Sequence, residues 1–167
     1  TVAALFGGNF SDATDNVAGG SSAHALVGIA ITANAATAGQ GTWQWFDGLA
    51  WQNVSTSVST ASALVLADTT LVRFLPAADF NGAPGSLTVK LVDASAGAVT
   101  AGSTANVTVS GGTTQYSAGD VVLSTSVTAV AVLLRSPPSR QAISPTRSPG
   151  SAKRIRSSRP FCDRFDS

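Results

Sequence analysis

Glutamate and methionine are absent from this chain of 167 residues, and cysteine and histidine occur once each. One cysteine, Cys162, allows no internal disulfide and no cysteine-built metal centre. Without glutamate there is no paired-Glu arrangement of the glycosidase kind. With His24 as the only imidazole, any histidine-assisted nucleophile must lie beside that one residue. No apolar run approaches the roughly 18 residues of a membrane-spanning helix, so no membrane span is expected. A Gly-x-Ser-x-Gly elbow, a phosphate-cradling glycine loop with lysine and the spacing of an EF-hand are also missing. The opening residues show no charged and apolar leader, so no signal peptide is expected within this stretch.

Charge is sparse, at 11%, and unevenly placed. Before Arg135, Arg73 and Lys90 face seven aspartates, and the balance is acidic. From Arg135 onward, arginine, serine and proline dominate and the balance is basic. The composition changes near Val130. It divides the chain into a domain over 1–130 and a tail over 131–167. The tail shows neither a helical nor a strand period, and is expected to be disordered. Its text reads as out-of-frame or junction sequence. A basic arm for an anionic partner and an ordinary linker are the alternatives. Proline and serine dilute its charges, so no nucleic-acid partner is expected.

The body is rich in alanine, threonine, serine, glycine and valine. Valine and threonine suit a half-buried pleated surface, and the strong helix formers Glu, Met and Lys are scarce, so the class is all-β. Strands are expected at 26–32, 41–46, 63–67, 70–76, 86–93, 105–110 and 121–130. Residues 86–93 alternate, with Leu87, Val89 and Leu91 on one face and Thr88, Lys90 and Val92 on the other. Asp47-Gly48 marks a tight primed hairpin turn. Residues 76–85 are built of turn formers and form a loop. About seven short strands separated by turn signals suggest a sandwich or barrel.

The stretches 26–54, 62–93 and 127–130 resemble a repeat of the large type I-secreted bacterial adhesins, the cadherin-like and immunoglobulin-like repeats of RTX-type surface proteins. The motifs that carry the resemblance are Gly41–Gln44, Asp47-Gly48, Trp51 and "LVRFLPAADFNG" at 71–82. The likeness spans about residues 2–130. It implies an immunoglobulin/cadherin-like β-sandwich of about seven strands. It also implies a secreted or cell-surface parent protein, neighbouring repeats as partners and a structural, adhesive role. Calcium between repeats goes with the resemblance, but the Asn-Asp linker that should follow residues 127–130 is missing.

Calcium takes hard oxygen ligands from loops. The candidates are Asp12 and Asp15 in one loop, Asp79 and Asn81 in another, and Asp93 at a strand end. Asx residues also occupy loops for hydrogen bonding alone. Trp43, Trp45 and Trp51 can stack on a carbohydrate or another surface ligand where exposed. Trp43 and Trp45 share a strand face, which reads first as core. An exposed sheet edge also favours a homodimer. The second function class is a calcium-dependent hydrolase of small esters or lactones, acyl-lactone signals included. There the cation polarises a carbonyl and activates water, and the residues available to it are His24, Ser22 and Asp15.

Overall fold

The computed structural model describes residues 1–13, 16–20 and 22–129. The expected disorder of 131–167 and every expectation for Asp15 lie outside the described residues. The described chain is mostly β-sheet, with eight strands in two antiparallel sheets and one short helix. The strands are β1 (Leu26–Asn34), β2 (Gly41–Phe46), β3 (Trp51–Asn53), β4 (Ala63–Ala67), β5 (Val72–Pro76), β6 (Leu87–Asp93), β7 (Thr104–Ala105) and β8 (Val121–Leu123). The larger sheet runs β7-β4-β1-β6-β8 and the smaller β3-β2-β5. The arrangement is sandwich-like.

Alternation in the sequence decides what each face buries. On the larger sheet, Ile29, Ile31, Leu66, Leu87, Val89 and Leu91 point toward the smaller sheet. They pack there with Trp43 and with Val54, which follows β3. Ala30, Ala63, Val65 and Val92 point the other way and form a second cluster with Val107. The expected split of β6 is therefore observed. Both faces of the larger sheet are covered, which is why its central strands read as nearly continuous apolar runs.

The helix α1 (Val2–Phe6) was not expected from the composition. It is one turn long, and Thr1 caps it by accepting a hydrogen bond from the Ala4 amide. Val2 and Phe6, four apart, share its inner face and are buried in the main cluster. Backbone bonds from Val2 to Thr70 and from Ala3 to Asp68 tie it to the β4–β5 connection.

Three local expectations are corrected. The hairpin signalled by Asp47-Gly48 forms between β2 and β3, but in another register: the strands pair up to Phe46↔Trp51, the Asp47 amide donates to the Ala50 carbonyl, and Gly48 alone of the two takes a positive φ, +102°. Residues 105–110 are not a strand beyond Ala105. The Asn106 carboxamide accepts bonds from the Thr108 amide and hydroxyl, a local turn that competes with the ladder. Of the described residues 121–129, only Val121–Leu123 pair as a strand, and Val127 makes an isolated bridge to Gly82.

Candidate functional site

The three tryptophans have three different fates. Trp43 is 3% exposed, and its indole N–H donates to the Gly85 carbonyl at 2.8 Å. It meets Phe74 edge-on at 5.2 Å between ring centroids, and it is a core residue. Trp51 lies on the outer face of the smaller sheet beside Phe46, with the Arg73 guanidinium 3.9 Å above its ring centroid. Trp45 shares the inner face with Trp43 but stands nearer the open side, where it is only half-buried.

Trp45 floors a cleft of about 520 Å³ between the β3 edge of the smaller sheet and the β7 edge of the larger. Val58 and Leu64 complete the apolar floor. Asp47, Gln52 and Asn53 form one rim, and Ser55, Ser57, Ser62 and Thr104 supply hydroxyls around the rest. Gly102 sets the far limit of the indole. Its φ is +84°, and a Cβ built there comes within 2.6 Å of the tip of the Trp45 ring.

The rim is ordered by directional bonds. Asp47 Oδ1 accepts from the Leu49 and Ala50 amides, each at 2.8 Å, and Oδ2 accepts from Gln52 Nε2 at 2.7 Å. These bonds, the Ala50 amide foremost, hold the Asp47 carboxyl below the usual aspartate range. A guanidinium can only donate, and this fixes the neighbouring amides. Arg73 Nε donates to Gln44 Oε1 at 2.9 Å, and Gln44 Nε2 donates to Asn53 Oδ1 at 2.8 Å. These three side chains lie on the outer face of the smaller sheet, where Gln44 stands opposite Asn53 on one side and Arg73 on the other, while Gln52, opposite Trp45, faces the cleft.

The expected catalytic group is placed only in part. Ser22 and His24 line one cleft with Asp93. Asp12 Oδ2 accepts from the His24 backbone amide at 2.6 Å and lies 3.7 Å from the imidazole Nδ1, beyond hydrogen-bond length. Asp12 thus holds the chain at His24, and the histidine side chain stays 39% exposed.

The candidate calcium ligands are not all brought together. Asp12 and Asp93 line a common cleft with Asn9 and Gln115. Each carboxylate spends one oxygen on a backbone amide, Asp93 on that of Ser95. Asp79 and Asn81 lie on the exposed turn after β5, where Asp79 has φ +60°. Among the described residues, no group of three or more His, Cys or Asp side chains gathers to hold a metal. Asp12 and Asp93 fit calcium as oxygen donors, but they supply only part of the six to eight ligands it takes.

Two features escaped the sequence reading. Lys90 is buried, and its ammonium donates to the Ser117 and Ala118 carbonyls and pairs with Asp120 at 3.0 Å. Alternation placed Lys90 beside Val92, but nothing local indicated partners in a segment 27 residues away. The serine and threonine rim around Trp45 comes from two separated stretches, 55–62 and Thr104, and only the tryptophan carried a signal. No helix among the described residues is long and apolar enough to cross a membrane. No family model matches the chain, and neither a curated protein nor a solved structure matches it.

Proposed function

We propose that this domain is a structural and adhesive repeat of a secreted bacterial surface protein, of the cadherin-like and immunoglobulin-like kind, and that it works by presenting a fixed surface. The observation that carries this reading is how its Asx residues are used. Asp12, Asp47, Asp93, Asn34 and Asn106 each accept a backbone N–H and so hold a loop in one shape. Asn34 also donates to the Val54 carbonyl, joining the end of β1 to the chain after β3. Loops held this way suit a module that transmits load and displays contacts. Calcium enters this reading as a stabiliser at Asp12 and Asp93. Millimolar calcium raises the melting temperature by mass action, and Asp12→Ala removes the rise.

A second reading rests on Ser22 and His24 sharing one cleft with Asp93: a hydrolase of small esters or lactones. One assay separates the two. The purified chain is given a chromogenic ester and an acyl-lactone, with calcium and with chelator. An adhesive repeat shows no turnover in any arm. Hydrolysis lost in His24→Ala supports the second reading through the imidazole, because removing a catalytic base costs orders of magnitude in rate. Hydrolysis that survives His24→Ala but is lost to chelator assigns the reaction to the cation. Either result overturns the adhesive reading.

A further inference from the structure

We propose that the Trp45 cleft is a saccharide-binding site that accepts one or two neutral pyranose units. The inference deepens the adhesive reading and rests on it. A pyranose ring has an apolar face of C–H groups and an equatorial rim of hydroxyls that both donate and accept. The cleft mirrors that pattern. Its floor is the Trp45 indole with Val58 and Leu64, and its rim is all polar. The volume, about 520 Å³, falls within the range of small-ligand pockets.

The rim chemistry narrows the class. Asp47 is an acceptor, the Gln52 carboxamide nitrogen is a donor, and the Ser55, Ser57, Ser62 and Thr104 hydroxyls can do either. Among the described residues, no lysine, arginine or histidine lines the cleft, so none of them rewards an anionic group such as a sulfate or uronate. The Asp47 carboxylate disfavours such a group outright. A wholly apolar ligand would strand the rim without partners. What remains is a neutral, hydroxyl-rich ligand with one apolar face.

The site is held ready before any ligand arrives. The Gly102 backbone stops the indole at its tip, and Gln52 is tied to Asp47. Pre-ordered side chains lose less freedom on binding, which favours affinity.

The test uses the full 167-residue chain on an array of neutral glycans with glucose, galactose, mannose, xylose and N-acetylglucosamine units. Titration follows with a tetrasaccharide of the bound class. The expected result is binding to at least one class, weakened about tenfold or more by Trp45→Ala. Because Trp45→Ala also removes core contact, Thr104→Arg serves as the second variant. Thr104 is exposed, so the arginine obstructs the cleft while leaving the main cluster intact. Leu75→Arg, on the outer face of the smaller sheet, is expected to retain binding. Three outcomes overturn the proposal: no neutral glycan bound, binding unchanged in a folded Thr104→Arg, or binding lost in Leu75→Arg alone. Failure here without ester or lactone hydrolysis removes the cleft and leaves the adhesive reading standing. Hydrolysis removes the adhesive reading itself.

Discussion

The two sheets solve different problems. The larger one buries both faces, with Ile29, Ile31, Leu66, Leu87 and Val89 on one side and Ala30, Ala63, Val65 and Val92 on the other. The smaller one buries a single face, through Trp43, and turns Gln44, Asn53, Arg73 and Trp51 outward. The central strands of a sheet covered twice leave little free surface for recognition chemistry, since substitutions there disturb packing. A sheet covered once keeps a free face and a free edge. The Trp45 cleft opens along such an edge, where β3 is only three residues long.

Deletion of core volume tests this division most strongly. Leu66 is fully buried, so Leu66→Ala is expected to cost about 2–5 kcal/mol in urea unfolding. Leu75 is 48% exposed on the smaller sheet, and Leu75→Ala should stay within about 0.5 kcal/mol. Equal losses at the two positions would break the comparison.

Lys90 tests whether the outer cover of the larger sheet is held by polar bonds as well as apolar contact. Its ammonium joins β6 to the 117–120 segment through two carbonyls and Asp120. Lys90→Ala leaves those acceptors without their donor and should cost about 1–3 kcal/mol. Lys90→Met, which keeps the stem, should cost less. Asp120 is 53% exposed, so Asp120→Ala should cost less than about 1 kcal/mol. Hydrogen exchange at 117–120 should speed up in Lys90→Ala before the central strands respond. Simultaneous loosening of β1 would mean that Lys90 supports the whole sheet.

The long strands were legible because their alternation is strong and their ends are punctuated. β2 and β4 match the expected 41–46 and 63–67, while β1 runs two residues further and β5 and β6 start one or two later. The helix escaped because a single turn offers no repeating period, and its stability comes from burying Val2 and Phe6. The strand expected at 105–110 failed for a local reason: Val109 alternates with Val107 but is 74% exposed, and the Asn106 turn intervenes. The candidate sites were less legible than the strands. Trp43 and Trp45 share one face, and only the tertiary position of β7 and of the chain after β3 separates a core residue from a cleft floor. Likewise, Ser22 and His24 are near in sequence, but where the Asp12 carboxylate would bond could not be read from spacing.

The smallest expected effect lies in the β2–β3 loop and sharpens the same comparison, since it concerns the exposed rim alone. Asp47 accepts bonds from Ala50, Leu49 and Gln52, and its carboxyl is held below the usual aspartate value. A depressed folded-state value means that the ionised form is favoured by folding. The contribution is then present above the unfolded value of about 3.9 and is lost as pH falls through the folded one. In Asp47→Asn the side chain cannot ionise, so that component disappears. The variant should melt slightly below wild type at pH 7, and the two melting curves should converge as the solution is acidified below about pH 4. Added salt should narrow the pH 7 difference, because the loop is exposed and its charge is screened. A difference that stays constant from neutral to acid pH would assign the effect to loop geometry, and the charge on Asp47 would have no part in holding the rim of the cleft.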